Sequence, residues 1–195
     1  MYFKILLILK GASYTYTIMQ KRILLVNPWI HDFAAYDLWA APLGLLSLAS
    51  TLRENGYEAT LIDCLNPLHT ALGREKGTRT PKRIPYGKGN FFKEEIAKPE
   101  ALKDFPRKYS RYGIPPALFE RDLLGMPRPD AVFVTSMMTY WYPGVFETIE
   151  AVRRVFLNVP VVLGGTYATF CTGHATRHSG AAWSREKEKR PFQGS

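Results

Sequence analysis

Small, polar and glycine residues follow three short apolar runs of this chain, at residues 27–29, 135–139 and 164–167. Glycine lets the backbone approach a ligand closely, hydroxyl groups exchange hydrogen bonds with it, and Met and Trp side chains offer apolar contact. N–H groups at the start of a following helix favour a phosphate. Together these groups suit a large planar ligand with a polar tail. The residues that we expect to contact such a ligand are Asn27, Pro28, Ser136, Met137, Thr139, Gly164, Gly165 and Thr166.

A purely structural explanation of these turns also stays open. Small and polar residues end most buried strands because the chain must turn there. The pair Gly164-Gly165 is a weak signal by itself. The sequence contains no G-x-G-x-x-G or Walker pattern, which argues against a dinucleotide or a P-loop nucleotide.

Four apolar runs predict the strands that would bring the turns together. Continuous apolar runs bounded by turn residues are typical of parallel strands buried on both faces. One helix is indicated from Pro42 to Asn55, with Gly56 at its end, and another from about Gly144 to Leu157. The buried face of the second helix would carry Val145, Ile149, Val152 and Phe156. The predicted strands span residues 22–27, 58–63, 131–135 and 160–164.

This order of elements predicts the fold class. Strand, helix and strand with short connections make a βαβ unit, and two such units build an open parallel sheet. We expect an α/β fold, with a Rossmann-like or flavodoxin-like open parallel sheet that has helices on both faces and is incomplete at its C-terminal end. A ligand of such a sheet binds beyond the carboxyl ends of the strands, where the three turns would lie.

The chain divides into one domain with additions. Residues 20–181 form the expected α/β domain, and within it residues 66–129 are expected to be a basic, partly flexible insertion outside the sheet, with a short helix at Pro116 to Leu124. Residues 1–19 end in a second Met and are expected to be a loose extension or a mis-assigned start. Their apolar run is too short for a signal peptide or a membrane span. Residues 182–195 form a charged tail.

The net charge of +9 belongs to the insertion and the tail. Residues 66–129 hold fourteen Lys and Arg against seven Asp and Glu, residues 182–195 hold four against two, and the remaining stretches are balanced. No helix-turn-helix, ribonucleoprotein or zinc-finger motif accompanies the charge. The sequence therefore gives little support to nucleic-acid binding.

Cysteine and histidine residues do not predict a metal site. Cys64 and Cys171 lie far apart in apolar surroundings, so a disulfide framework is not expected and a reducing, cytoplasmic setting fits. His31 beside Asp32 is interpreted as a solvated loop pair. His174 and His178, four residues apart, are interpreted as one polar face of a short helix.

The stretch from Pro129 to Phe170, PDAVFVTSMMTYWYPGVFETIEAVRRVFLNVPVVLGGTYATF, resembles the cobalamin-binding domain that precedes the catalytic barrel of many radical S-adenosylmethionine proteins. KRILLVNPW and APLGLLSLASTLRENGYEATLID resemble the first strand, helix and second strand of the same domain. In that family a Ser/Thr-rich turn follows the third strand and a Gly-Gly pair follows the fourth. The resemblance covers about residues 20–65 and 129–180. It implies a flavodoxin-like sheet with the corrin over the strand ends and its nucleotide tail in the cleft.

The resemblance also limits the chemistry. The Asp-x-His-x-x-Gly pattern, whose His ligates cobalt, is absent, because none of the four histidines has an Asp two positions before it. Cobalamin would therefore be held without a protein His, as in methyltransferase-like members of the family. The radical chemistry of the family needs a C-x-x-x-C-x-x-C motif for a [4Fe–4S] cluster, which two distant cysteines cannot supply. These residues are thus expected to form a cofactor-binding module that is not an enzyme on its own and that in a full-length parent precedes a radical domain.

Two other functions remain open beside this one. The domain could keep the fold without cobalamin and serve as a scaffold that contacts a partner. It could also bind nucleic acid through its basic insertion. The substrate of a parent enzyme is not encoded in this stretch, because substrate contacts in the resembling enzymes come chiefly from the radical domain.

The tail from Ala182 onward predicts a frameshift. One possible coding sequence for the first ten residues of the tail changes its reading frame when a single base is restored. In the new frame it encodes Asp-Leu-Val-Ala-Gly-Glu-Gly-Glu-Ala-Ala. That peptide is similar to the strand and Gly-Glu-Gly-Glu turn that the family places before its radical domain. Loss of this strand would uncover one sheet edge and make the chain prone to aggregate.

We expect the nucleotide sequence downstream of Gly180 to open, after one restored base, a reading frame that runs into a C-x-x-x-C-x-x-C motif. Sequencing of the genomic region checks this. A region with no such frame would make the tail an ordinary basic extension.

Overall fold

The computed structural model describes residues 2–9, 12–38 and 41–183, with side chains for residues 20–38 and 41–181. Its strands are β1 (Tyr2–Leu9), β2 (Ala12–Met19), β3 (Arg22–Asn27), β4 (Ile30–Asp32), β5 (Tyr36–Asp37), β6 (Glu58–Asp63), β7 (Gly89–Asn90), β8 (Lys93–Glu95), β9 (Ser110–Tyr112), β10 (Ala131–Val134), β11 (Val161–Leu163) and β12 (Ala182–Trp183). Its α-helices are α1 (Leu43–Glu54), α2 (Pro116–Leu124), α3 (Tyr142–Val155), α4 (Thr166–Phe170) and α5 (Thr172–His178).

An all-parallel sheet forms the centre of the protein, in the strand order β12-β11-β10-β3-β6. The four strands predicted from the sequence are confirmed, with bounds that differ by at most one residue at each end. The chain leaves β3 toward β6 on one side and continues from β10 toward β11 on the other. The direction of winding therefore reverses between β3 and β10, at the middle of the sheet.

Helices cover both faces of this sheet. Alternate residues of a strand point to opposite faces. Ile23 and Leu25 of β3 pack with Leu45 of α1, whereas Leu24 and Val26 belong to the larger core on the other face, with residues of α2 and α3. The buried face predicted for α3 is confirmed, since Val145, Ile149, Val152 and Phe156 are all buried in that larger core.

The segment 66–129 lies only partly outside the sheet. Its predicted helix, α2, is confirmed, but Phe119 and Leu123 of that helix are fully buried in the main core. A parallel connection from β6 to β10 must cross one sheet face, and α2 supplies the apolar cover for that face. The rest of the segment builds two small antiparallel sheets with the loop that follows β3. Their strand orders are β4-β9-β8 and β5-β7.

The two ends of the chain carry short additions to this fold. Ala182 and Trp183 form β12, which pairs in parallel with β11, so the edge that was expected to be incomplete holds a two-residue strand. The remainder of the predicted tail lies outside the described residues. At the other end, β1 and β2 pair with each other in antiparallel fashion within the segment expected to be an extension. None of the described helices is long and apolar enough to cross a membrane.

Gly144 and Gly44 make a matched pair of helical glycines with opposite surroundings. A Cβ atom at Gly144, in the first turn of α3, would lie 2.2 Å from the carbonyl oxygen of Trp29, whereas a Cβ at Gly44 in α1 would meet nothing within 4 Å. We expect Gly144→Ala to lower the free energy of unfolding by about 3 kcal/mol, because two backbones must move apart. Gly44→Ala should leave it unchanged or raise it by up to about 1 kcal/mol. Urea unfolding of both variants measures the difference, and equal effects would contradict the close approach.

Candidate functional site

Ser136 joins the turns that follow β10 and β11. Its hydroxyl donates to the carbonyl oxygen of Gly164 at 2.7 Å and accepts from the N–H of Ala168 at 3.4 Å, and its carbonyl oxygen accepts from the N–H of Thr166 at 2.8 Å. The residue is 1% exposed. Four of the predicted ligand residues, Ser136, Gly164, Gly165 and Thr166, therefore meet in one loop contact. The hydroxyl of Ser136 is therefore occupied by hydrogen bonds to the protein itself.

Gly165 is required by the same contact. Its φ of 90° lies in a region that favours glycine, and a Cβ atom there would lie 2.3 Å from the carbonyl oxygen of Ser136. The N–H groups of Thr166 and Ala168, at the start of α4, both donate to Ser136, so neither is free for a phosphate. The glycine therefore serves the packing of one loop on the other.

Gly164 has different surroundings from its neighbour. A Cβ atom on Gly164 would meet nothing within 4 Å, so this residue borders open space above the sheet. Met137 and Thr166 are exposed, and Thr139 is half-buried at the start of the short 3-10 helix Thr139–Trp141, which contacts α4. These four predicted residues remain accessible to a ligand.

Asn27 and Pro28 are buried. The side-chain amide of Asn27 donates to Asp63 at 2.7 Å, and the same carboxylate oxygen accepts from the N–H of Leu65 at 2.9 Å. Burial raises the pKa of Asp63 despite these two hydrogen bonds. Asn27 thus ties the carboxyl ends of β3 and β6 together, and its amide is not presented to solvent.

Trp29 fills the crevice that the sequence suggested for a ligand. It is 1% exposed, its indole N–H donates to the carbonyl oxygen of Ile114 at 2.7 Å, and its ring meets that of Phe119 edge-on at 5.1 Å. The interpretation of Trp29 as an apolar ligand contact is therefore wrong. Its physical reason is that the insertion folds over the end of β3 and encloses the indole.

Large apolar side chains stand exposed beyond the strand ends. They follow β10 and β11 in the chain, and the 3-10 helix that carries Tyr140 contacts α4, which ends at Phe170. The sequence analysis gave the Met side chains an apolar role but missed Tyr140 and Phe170, although Tyr140 comes shortly after β10 and was a usable signal. We call this set the apolar rim. Its members are Met137, Met138, Tyr140 and Phe170.

His31 is a buried partner of Glu147, so its interpretation as a solvated loop residue is wrong. The ring Nε2 donates to one carboxylate oxygen of Glu147 at 2.6 Å, and Arg111 donates to the other at 2.5 Å. Arg111 also pairs with Glu94 at 2.6 Å. Burial alone would raise the pKa of Glu147, but the bond from His31 and the charge of Arg111 outweigh it and hold that pKa below its usual value. The network joins α3 to β4, β8 and β9.

The remaining histidines also have protein partners. His69 contacts Asp122 at 3.0 Å, and His174 contacts the hydroxyl of Tyr167 at 2.7 Å. His174 and His178 lie on α5 with their rings 4.5 Å apart, as the predicted short helix requires. Among the described residues no group of three or more His, Cys, Asp and Glu could hold a metal ion. Burial raises the pKa of the Cys64 thiol well above its usual value, which makes it a weak nucleophile.

Comparison of the sequence with models of known protein families gives no match, and comparison with curated proteins gives none.

Glu147→Gln should destabilise the protein at neutral pH by about 2 kcal/mol, since it removes the charge from two hydrogen bonds. The lowered pKa of Glu147 means that its ionised form stabilises the fold above the pKa of the unfolded chain. That contribution disappears as the pH falls through the folded pKa, which lies below the ordinary Glu value, so wild type and variant should converge toward about pH 2. Urea unfolding at both pH values measures this. The control is Glu150→Gln, an exposed residue of α3, and a pH-independent difference would contradict the account.

Proposed function

We propose that this chain is a cobalamin-binding α/β domain of the kind found before the catalytic domain of radical S-adenosylmethionine proteins. The observation that carries the proposal is the apolar rim at the carboxyl ends of the strands. Exposed large apolar side chains rimmed by polar groups are a feature of ligand and partner sites. This rim lies at the edge of the sheet where the resembling family holds its corrin.

The topology supports the proposal independently of the side chains. Numbered along the chain, the five strands of the sheet lie in the order 2-1-3-4-5, which is the flavodoxin-like arrangement. Ligands of such sheets bind at the carboxyl ends of the strands, beside the point where the winding reverses. In this protein that point lies between β3 and β10.

The chemistry of the rim suits a corrin ring. Met137, Met138 and Tyr140 offer apolar contact to the face of a flat macrocycle. The hydroxyls of Thr139 and Thr166 are of the type that can bond the amide groups around such a ring. The open space beside Gly164 leaves room for the ring edge.

The crevice between β3 and β10 fits the nucleotide tail less well. Trp29 occupies the end of β3, and the hydroxyl of Ser136 is committed to Gly164. We therefore propose that the ring lies over Met137, Thr139, Gly164 and Thr166, and that Asn27, Pro28, Ser136 and Gly165 hold the loops beneath it. A tail that enters the sheet would have to break the Ser136 contact.

The cobalt would be held without a histidine from the described residues. None of the four histidines stands in an Asp-x-His-x-x-Gly pattern, and His31, His69 and His174 each contact another side chain of the protein through a ring nitrogen. Bound cobalamin supplies a cobalt centre able to carry a methyl group, and the protein supplies the surface that orients it. The radical step itself would need cluster cysteines from another domain. The two cysteines of this chain, Cys64 and Cys171, are far apart in the sequence and cannot form a C-x-x-x-C-x-x-C motif.

Gly164→Leu tests this placement without disturbing the fold. The new side chain would enter the open space beside Gly164 and block the ring, whereas Gly165→Val would collide with Ser136 and unfold the loop. We expect the wild-type chain to retain the visible spectrum of hydroxocobalamin through gel filtration, and Gly164→Leu to lose at least about 90% of it, which corresponds to a tenfold or larger loss of affinity.

The matched control is Ser50→Leu, which adds the same side chain to an exposed position on α1. It should bind as the wild type does, and all three proteins should unfold at the same urea concentration. Wild-type protein that elutes without the cofactor would reject the cofactor proposal in favour of a scaffold domain. Equal binding by Gly164→Leu and wild type would show that the ring lies elsewhere.

A further inference from the structure

A second candidate site lies in the loop after β3 and the basic insertion, apart from the residues assigned to the corrin. It is a cavity of about 510 Å³, within the range of small-molecule pockets. Its walls combine four aromatic side chains with four basic ones and contain no Asp or Glu. The aromatic residues are Phe33, Tyr36, Phe91 and Tyr112, and the basic residues are Arg79, Lys82, Lys93 and Arg107.

Two antiparallel strand pairs build the walls of this cavity. Tyr36 on β5 lies opposite Asn90 on β7, and Lys93 on β8 lies opposite Tyr112 on β9, so each pair contributes two lining residues. The ammonium group of Lys93 stands 5.4 Å from the centre of the Tyr112 ring. Backbone pairing therefore holds these side chains around one space.

A partly buried ion pair anchors the first of these strand pairs. The guanidinium of Arg83 meets the carboxylate of Asp37 at 2.7 Å and also donates to the carbonyl oxygen of Gly87. Gly89 approaches the backbone of Lys82 so closely that a Cβ atom would lie 2.5 Å from its carbonyl oxygen. The loop that carries Lys82 is thus fixed against the strand that carries Asn90.

The cations of the insertion differ in whether a carboxylate pairs with them. Outside the cavity, Arg83, Lys103, Lys108, Arg111 and Arg121 each pair with a carboxylate. In the cavity, none of the four lining cations has a carboxylate partner among the described residues. Four uncompensated positive charges around one space repel one another, and an anion that enters the space removes that repulsion.

We propose that this cavity binds a small phosphate-bearing molecule with an aromatic ring, which is the chemistry of a nucleotide. The basic side chains hold the phosphate through charge-assisted hydrogen bonds, for which Arg is well suited. Tyr36 is 66% exposed and offers a flat face for the ring. Phe91 and Tyr112 are buried and form the apolar floor.

A small ligand suits this geometry better than a nucleic-acid strand. Strand binding needs cations and aromatic faces along an extended groove. Here the lining cations surround a single cavity closed below by buried rings. The site also shares no residue with the proposed corrin surface, so either proposal can fail without the other.

Calorimetric titration of the wild-type chain with AMP, ribose 5-phosphate, inorganic phosphate and adenosine separates the parts of the ligand. AMP should bind most tightly, and adenosine at least about tenfold more weakly than AMP because it lacks the charge. Tyr36→Ala should weaken AMP about tenfold, the usual size of a base-stacking contribution, and leave ribose 5-phosphate unchanged. Ribose 5-phosphate binding as tightly as AMP would overturn the assignment of the ring.

Paired double variants separate the cavity from general charge. Arg79→Gln with Arg107→Gln should weaken every phosphate ligand at least about tenfold. Arg74→Gln with Lys76→Gln removes the same charge from exposed positions outside the cavity and should change binding less than about twofold. Equal losses in the two double variants would overturn the proposal, as would a single-stranded oligonucleotide that binds more tightly than AMP. Unfolding curves that match the wild type confirm that either loss arises at the site.

Discussion

The burial of Trp29 is the constraint on which the arrangement of this protein depends. The indole stands at the carboxyl end of β3, where an open α/β sheet would normally present a crevice. The indole N–H donates to the carbonyl oxygen of Ile114, just before α2, and the ring meets that of Phe119. The backbone carbonyl oxygen of Trp29 lies against Gly144 at the start of α3. One residue thus joins the sheet, the crossover helix and the helix after β10. A ligand of this sheet edge would therefore bind above the loops, since Trp29 occupies the space at the end of β3.

The loops above the sheet separate two roles that the sequence places side by side. Ser136 is buried in the contact between the loops, and Gly165 is the residue that this contact requires. Together they keep the loops in place. Met137 and Gly164 stand next to them along the chain but face open space. A rigid lower layer with an accessible upper layer is what a preorganised binding surface needs. This division explains why substitution at adjacent positions should have opposite consequences for folding and for binding.

The basic insertion contributes both to the core and to the proposed second site. Phe119 on α2 closes one face of the sheet, so part of the segment is as essential to stability as the strands. The rest holds the excess positive charge, and much of that charge is neutralised by ion pairs such as Arg83 with Asp37. Four cations without such a partner among the described residues, Arg79, Lys82, Lys93 and Arg107, line one cavity. Part of the excess positive charge of the segment is therefore gathered around a single cavity.

The sequence by itself determined the strands, the main helices and the parallel sheet. Strands and helices can be predicted because they depend on the local spacing of apolar residues. Examples are the apolar run at residues 22–27 and the helical spacing of Val145 and Ile149. Tertiary structure decided which polar groups remain available to a ligand. His31 lies beside Asp32 in the chain yet bonds Glu147, which is more than a hundred residues away. Hydrogen-bond partners and burial arise from the packing of distant segments, and no local pattern encodes them.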